Sequence, residues 1–384
     1  MTDVITLKGV TWGHSRGYTP LAATSQRFTE RHPSVEFQWR KRSLQAFADE
    51  SVESLAQTSD LIVLDHPWIG HAARAGALLP LDSHLPAEFL RDQEANSVGA
   101  SHRSYRLDGR QWALAIDAAA PVASWRPDLL AEAERPATWT DLLALARRGQ
   151  VLVPGIAQDT LMNFYMVCCT LGEDPCTGPE RIVSRDTGRR ALEMLRELAV
   201  LLPDETFDFN PIAVYEAMTT SDRYSYCPFA YGYSNYAREG YARAVLRFGE
   251  MVEIEGRGRC RTTLGGAGLA VSATSEHPEL AARYALYAAS PICQKTLYFD
   301  SGGQPGHRAA WLDERVNRAS GGFFRDTLAA LDRAFLRPRY CGHLYFQDRA
   351  GSPIRAFLRA GGDPDRLLDD LDQLYRASLR ETGA

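Results

Sequence analysis

The chain has 384 residues, 45% hydrophobic and 24% charged, with a formal net charge of −5. This is an ordinary globular composition, with enough length for two lobes and large cores. The mild acidity gives no support for nucleic acid or an anionic membrane as the main partner, and no stretch approaches the ~20 apolar residues of a membrane span.

Residues 5–12 alternate loosely and read as a strand, and 13–19 as a loop. Pro20 in a first turn, with Leu21, Ala22 and Phe28 at helical spacing, predicts a helix ending near His32-Pro33. Val35-Glu36-Phe37-Gln38-Trp39 alternates cleanly as a second strand. Trp39-Arg40-Lys41-Arg42 is a basic cluster that reads as a solvated strand end. A polar helix carrying Leu44, Phe47, Val52 and Leu55 comes next. Leu61-Ile62-Val63-Leu64 is the continuous apolar run of a parallel strand buried on both faces. The opening is therefore β-α-β-α-β, an α/β unit with a mostly parallel sheet.

Asp108-Gly109 marks a tight hairpin. Residues 151–153 read as a short strand, and 161–171 as a very apolar helix. Residues 188–201 carry Ala191, Leu192, Leu195, Leu198 and Ala199 on one helical stripe. A short helix is expected over 213–218, and longer ones over 323–336 and 365–379. Between them lies the most ordered pattern of the chain. Gly265, Gly266 and Gly268 open an apolar, strand-like run to Val271. Ser275 then reads as a helix cap and Pro278 as an early helical residue. The helix behind them buries Leu280, Ala281, Tyr284, Leu286 and Tyr287, and Gly302-Gly303-Gln304-Pro305 closes the segment with a turn.

The glycine-rich strand, Ser275-x-His277-Pro278-Glu279-x-Ala281-x-x-Tyr284, Ser290-Pro291-x-x-Gln294 and Gly302-Gly303-Gln304-Pro305 resemble, in that order, the return segment of type 1 extracellular solute-binding proteins. These are the sugar-type receptors of ABC transporters. Asp60 to Trp68, with Gly76-x-Leu78-x-Pro80-Leu81-Asp82 after it, is similar to the same family. So are Tyr105 to Asp117 and Pro136 to Leu142. Trp125-Arg126 stands where the family usually has Tyr-Asn, and Tyr215-Glu216 replaces a usual glycine. The resemblance implies a two-lobed periplasmic-binding-protein-like α/β fold (type II), each lobe a mostly parallel sheet flanked by helices. Lobe one would be 1–116 and 266–320, and lobe two 117–265 and 321–384. Crossings would fall near 112–120, 262–270 and 318–324. It further implies hinge closure on a small ligand without chemistry, a monomer, no cofactor or metal, and an ABC permease as partner.

Open α/β sheets bind ligands at the carboxyl ends of their strands. That places Trp12, His14, Ser15 and Arg16 after the first strand at the cleft, and Asp65 and Trp68 after the third. Asp117 at the crossing, Tyr231, Tyr233 and Gly266 complete the ring. Residues 154–160 lead into a helix whose first amides suit an anion. Aromatic faces suit the apolar faces of sugars. Asp65 and Asp117 suit hydroxyl pairs, and Arg16, assisted by His14, suits a carboxylate. Sugar or polyol and organic acid are therefore both open. Plainer readings stand beside these: core packing for Trp12 and Trp68, a helix cap for Asp65, a hinge contact for Asp117, and a solvated loop for Arg16.

Gly13-x-Ser15-x-Gly17 also matches a hydrolase nucleophile elbow, but only one strand precedes it and the turn is long. Gly266-x-Gly268 is a partial dinucleotide fingerprint followed by a strand where a helix is required. His66 and His71 lack the glutamate and spacing of a zinc protease. The same fold used as a cytoplasmic ligand sensor is the remaining alternative. The seven cysteines, an odd number with no Cys-x-x-Cys pair, read as reduced thiols. Met1-Thr2-Asp3 puts an acid where a leader's basic region belongs. The expected location is cytoplasmic, or periplasmic if a leader has been removed.

Overall fold

A computed structural model describes residues 4–43 and 50–381. The strand β1 (Ile5–Trp12) pairs in parallel with β2 (Val35–Arg42) and β3 (Leu61–Leu64). The helix Ser15–Arg31 connects the first two. The expected polar helix is seen as Val52–Thr58, while its Leu44 and Phe47 lie outside the described residues. In β3, Leu61 and Val63 join one core with Leu7, Phe28 and Tyr284, whereas Ile62 and Leu64 join another with Val10, Leu55 and Ile69. A four-residue strand buried on both faces has no polar side to show, which is why its sequence is an unbroken apolar run.

Strands β4 (Arg106–Leu107) and β5 (Arg110–Gln111) form the expected hairpin. Asp108 and Gly109 both adopt positive φ, 51° and 77°, as such a two-residue turn requires. The chain then enters β6 (Leu114–Ala119) and, one residue later, β7 (Pro121–Trp125). β7 lies between β8 (Tyr226–Tyr231) and β9 (Arg247–Gly249), antiparallel to both. The return strand β10 (Gly265–Val271) runs antiparallel between β3 and β6, giving the order β2-β1-β3-β10-β6. The first sheet is thus parallel at β2-β1-β3 and antiparallel where the chain leaves and returns. The second sheet departs from the mostly parallel expectation. Every residue of β7 is buried, and a run apolar on both faces carries no information about strand direction.

The outgoing β6 and returning β10 are neighbours, so two crossings between the sheets lie side by side. Gly266 sits there at φ 107°, and a Cβ on it would stand 2.3 Å from the Asp117 carbonyl oxygen, so the position takes only glycine. The Gln304 amide fastens the same place, donating to the carbonyls of Ala118 and Gly232 while its oxygen accepts from the Ser234 amide.

The helix Ala157–Leu171 begins earlier than its apolar run, and Arg185–Ala199, Pro211–Thr220 and Pro364–Ser378 lie where helical spacing places helices. The expected 323–336 helix stops at Asp332, and the 151–153 strand is reduced to one bridge, Val151 with Tyr226. One long helix, His343–Ala360, has no counterpart in the sequence reading. Gly351 and Pro353 interrupt its pattern. Gly351 lets it approach the Ala157–Leu171 helix so closely that a Cβ would stand 2.1 Å from the Ala157 carbonyl oxygen. Phe299, Trp311 and Val316 share a core with Tyr236, Phe248 and Phe323, so this part of the return segment packs against the second sheet.

All seven cysteines are unbridged. Burial raises the thiols of Cys168, Cys169, Cys176, Cys227, Cys260 and Cys293 above the usual range. Cys341 is half-buried and edges a groove shared with Gly70, Asp108 and Trp112. Among the described residues, no helix is long and apolar enough to cross a membrane, and no group of three or more His, Cys, Asp or Glu is placed to hold a metal.

Candidate functional site

The two sheets meet around a cavity of about 190 Å³. Trp12 reaches it from the end of β1, Arg16 from the first turn of the Ser15–Arg31 helix, and Asp65 and Trp68 from just past β3. Asp117 and Gly266 come from the paired crossings. Tyr231 and Tyr233 form the opposite wall with the first turns of the Ala157–Leu171 and Pro211–Thr220 helices. The His343–Ala360 helix adds Leu344 and Gln347. Eight of the ten residues expected at a ligand site line this one space: Trp12, Arg16, Asp65, Trp68, Asp117, Tyr231, Tyr233 and Gly266.

His14 and Ser15 do not. The His14 ring caps the helix, its Nδ1 accepting from the Arg16 amide at 3.0 Å, and it packs edge-on against Tyr233. Burial, helped by the Arg16 charge, lowers its pKa to about 4, so it is neutral at pH 7. Ser15 Oγ shares a hydrogen bond with the Tyr241 hydroxyl at 2.7 Å.

Arg16 and Asp117 hold each other. Arg16 Nε donates to Asp117 Oδ2 at 2.8 Å, a second guanidinium nitrogen donates to Oδ1, and the third donates to the Gly232 carbonyl at 3.0 Å. The guanidinium also lies over the Tyr233 ring, 4.5 Å from its centroid. Burial opposes the charge on Arg16, but Asp117 outweighs it and holds the group fully protonated. The expected free anion anchor is therefore already satisfied, with all three nitrogens donating inside the protein.

Asp65 caps the short turn behind it by accepting from the His66 amide at 2.8 Å. One Arg337 nitrogen also donates to both of its carboxylate oxygens, at 2.8 and 2.6 Å. Burial works against its ionisation, but Arg337 and His66 hold its carboxyl well below the usual range. Asp65 thus caps the turn and also lines the cavity. Arg337 is buried and donates further to the Leu264 carbonyl and to Gln347 Oε1.

The anion site expected at residues 154–160 is replaced by its opposite. Asp159, in the first turn of the Ala157–Leu171 helix, turns its own carboxyl to the cavity. It is only 6% exposed, and among the described residues no hydrogen bond or ion pair reaches that carboxyl. Burial pushes its pKa up to about 8. The sequence reading missed Asp159, Arg337 and Gln347. An acid in a first helical turn is commonplace, so nothing local marks Asp159, and Arg337 lies outside any periodic segment.

A family model described as bacterial extracellular solute-binding protein matches residues 23–319. Solved structures with similar folds include maltose-bound MalE3 from T. maritima, at 16% identity and a TM-score of 0.85, covering 97% of this chain and 100% of that one. An ABC transporter solute-binding protein from Agrobacterium radiobacter K84 in complex with ribitol has 16% identity and a TM-score of 0.81, covering 98% and 99%. One from Thermotoga lettingae TMO bound with α-D-tagatose has 16% identity and a TM-score of 0.82, covering 98% and 100%. Among curated protein sequences none matches this chain.

Proposed function

The chain belongs to the bacterial extracellular solute-binding protein family, and from that premise we propose that it closes its two lobes around one small sugar or polyol and hands it to an ABC permease, without chemistry. One observation carries the ligand class: a small cavity with aromatic and amide walls, in which both arginines are already paired to aspartates. An organic acid would find no free cation there. A sugar or polyol meets aromatic faces on Trp12, Trp68, Tyr231 and Tyr233, and amides on Gln158 and Asn210. At about 190 Å³, the space falls below the roughly 300–1,000 Å³ of sites for drug-sized ligands. That favours a ligand the size of ribitol or tagatose over a maltodextrin.

Closure is a population shift stabilised by contacts from both lobes. We propose lobe one as 1–116 and 266–320 and lobe two as 117–265 and 321–384, acting as a monomer. The hydrolase alternative is weakened at Ser15: its hydroxyl is shared with Tyr241, and His14 Nδ1 is committed to the Arg16 amide. The cytoplasmic sensor uses the same cleft. The unbridged cysteines favour it, since reduced thiols suit a reducing compartment.

A thermal-shift panel of pentitols, hexitols, ketohexoses, aldohexoses and organic acids tests the ligand class. A compound at about 100 times its Kd adds roughly 2.7 kcal/mol of stability. Shifts confined to carboxylates would sink the sugar reading. For the compound that shifts most, Trp68→Ala is expected to raise Kd about 30-fold, the loss of roughly 2 kcal/mol typical of a central aromatic contact. Titration calorimetry with the variant, folded by circular dichroism, measures it. An unchanged Kd would remove Trp68 from the site.

A further inference from the structure

The ionisable groups around the cavity do not all pair off. Arg16 is matched by Asp117 and Arg337 by Asp65, each within a two-point hydrogen-bonded pair. Asp159 is left over. Its carboxyl lies on the cavity wall, nine-tenths buried, with no cation, amide or hydroxyl of the described residues bonded to it. Burying a carboxyl without a partner is costly. The other charged and titratable groups of the cavity are Arg16, Asp117, Asp65, Arg337, Tyr231 and Tyr233. The two arginines have their nitrogens engaged elsewhere, so neither is free to turn toward Asp159. A neutral sugar would leave the excess negative charge uncompensated whenever Asp159 is ionised.

Resting on the small-polyol reading of the same cavity, we propose that the physiological ligand carries an ammonium group, as an amino sugar or amino polyol, and that Asp159 is the residue that binds it. The hydroxyls of such a ligand use the amides and aromatic faces, and its ammonium donates to the Asp159 carboxylate. Tyr231 and Tyr233 provide π-faces that tolerate a cation in the same space. The unliganded carboxyl is held mostly protonated at pH 7 by burial, so entry of the ammonium ionises it. The proton leaves the carboxyl for the solvent, and the bound state is an ion pair with no net change in charge at the wall. This makes recognition selective in both directions. A carboxylate ligand finds no free cation, and a neutral polyol gains no ion pair.

The test uses matched pairs that differ only in the amine: D-glucamine against D-glucitol, and D-glucosamine and D-galactosamine against glucose and galactose. Titration calorimetry of the full chain at pH 7, in phosphate and in Tris, gives both affinity and the number of protons exchanged. The amine of at least one pair is expected to bind roughly 10- to 100-fold tighter than its neutral partner, the margin of a hydrogen bond to a charged group. It is also expected to release about one proton per ligand. In Asp159→Asn, which keeps the shape, that preference is expected to fall to about unity and the proton release to vanish. A neutral compound binding as tightly as its amine, or a preference that survives Asp159→Asn, overturns the assignment and leaves the polyol reading standing. Failure of both members of every pair, with the organic acids binding instead, overturns both readings.

Discussion

Replacing Arg337 with alanine is expected to destabilise the protein by about 3–5 kcal/mol at pH 7, the cost of leaving a buried charge without its partner. Asp65 is tied to Arg337 by two short hydrogen bonds, and the arginine side chain is almost wholly buried. Removing the guanidinium leaves a carboxylate facing the Tyr105 ring and the neutral His66. The pH dependence should reverse with it. In the native protein Arg337 depresses the Asp65 pKa, so the stability this pair supplies is complete above the unfolded carboxyl pKa of about 3.9. It is lost only as pH falls below that value. In the variant the same carboxyl is raised by burial, so its penalty is present at neutral pH and relieved as acid protonates it. Urea midpoints at pH 7 and pH 4 measure both, with the gap between native and variant narrowing at pH 4. Arg337→Met combined with Asp65→Leu removes the pair without orphaning either charge. It is expected to recover most of the loss, which separates the effect of the ion pair from lost packing.

The second large effect belongs to Asp159 and has the opposite sign. Its carboxyl is raised to about 8 in the folded chain and stands near 3.9 when unfolded. Between those values the folded state holds a proton that the unfolded state does not, so stability falls as pH rises from about 4 to about 8 and levels off above. An asparagine side chain in its place has no such proton to lose. Asp159→Asn is therefore expected to match the native protein near pH 4 and to exceed it by on the order of 5 kcal/mol at pH 8–9. Unfolding midpoints of both proteins across that range would show the curves diverging with pH. Parallel curves would mean that Asp159 is ionised in the unliganded cleft. A binding residue that costs stability when unliganded is an expected trade-off at functional sites.

Much of the fold was legible because it rests on local chemistry. Leu61 to Leu64 is apolar because both its faces are covered, and Asp108-Gly109 sits in the turn its residues favour. Among the glycines at 265, 266 and 268, Gly266 marks the crossing where a side chain would meet the backbone of Asp117, and the other two leave room for the Tyr231 and Tyr105 rings. What was not legible depends on distance. Asp65 and Arg337 are 272 residues apart, and no periodicity in either segment points to the other. For the same reason Arg16 and Asp117 read as two independent ligand groups, although they neutralise each other. The His343–Ala360 helix was missed because Gly351 and Pro353 look like breaks, yet the glycine is what permits its contact with the neighbouring helix. That contact also helps to enclose Asp159, whose significance lies wholly in what surrounds it.

The cysteines bear on how the molecule can be watched. Six thiols are held by burial in their uncharged, unreactive form, whereas Cys341 edges a groove with Gly70, Asp108 and Trp112. A maleimide dye applied to the native protein should attach there first, without any engineered residue. Attached in that groove, it would sense the relative motion of the proposed lobes, so adding a ligand should appear as a step in emission. The chain would then serve as its own optical gauge of occupancy, suited to screening compound collections in a plate reader.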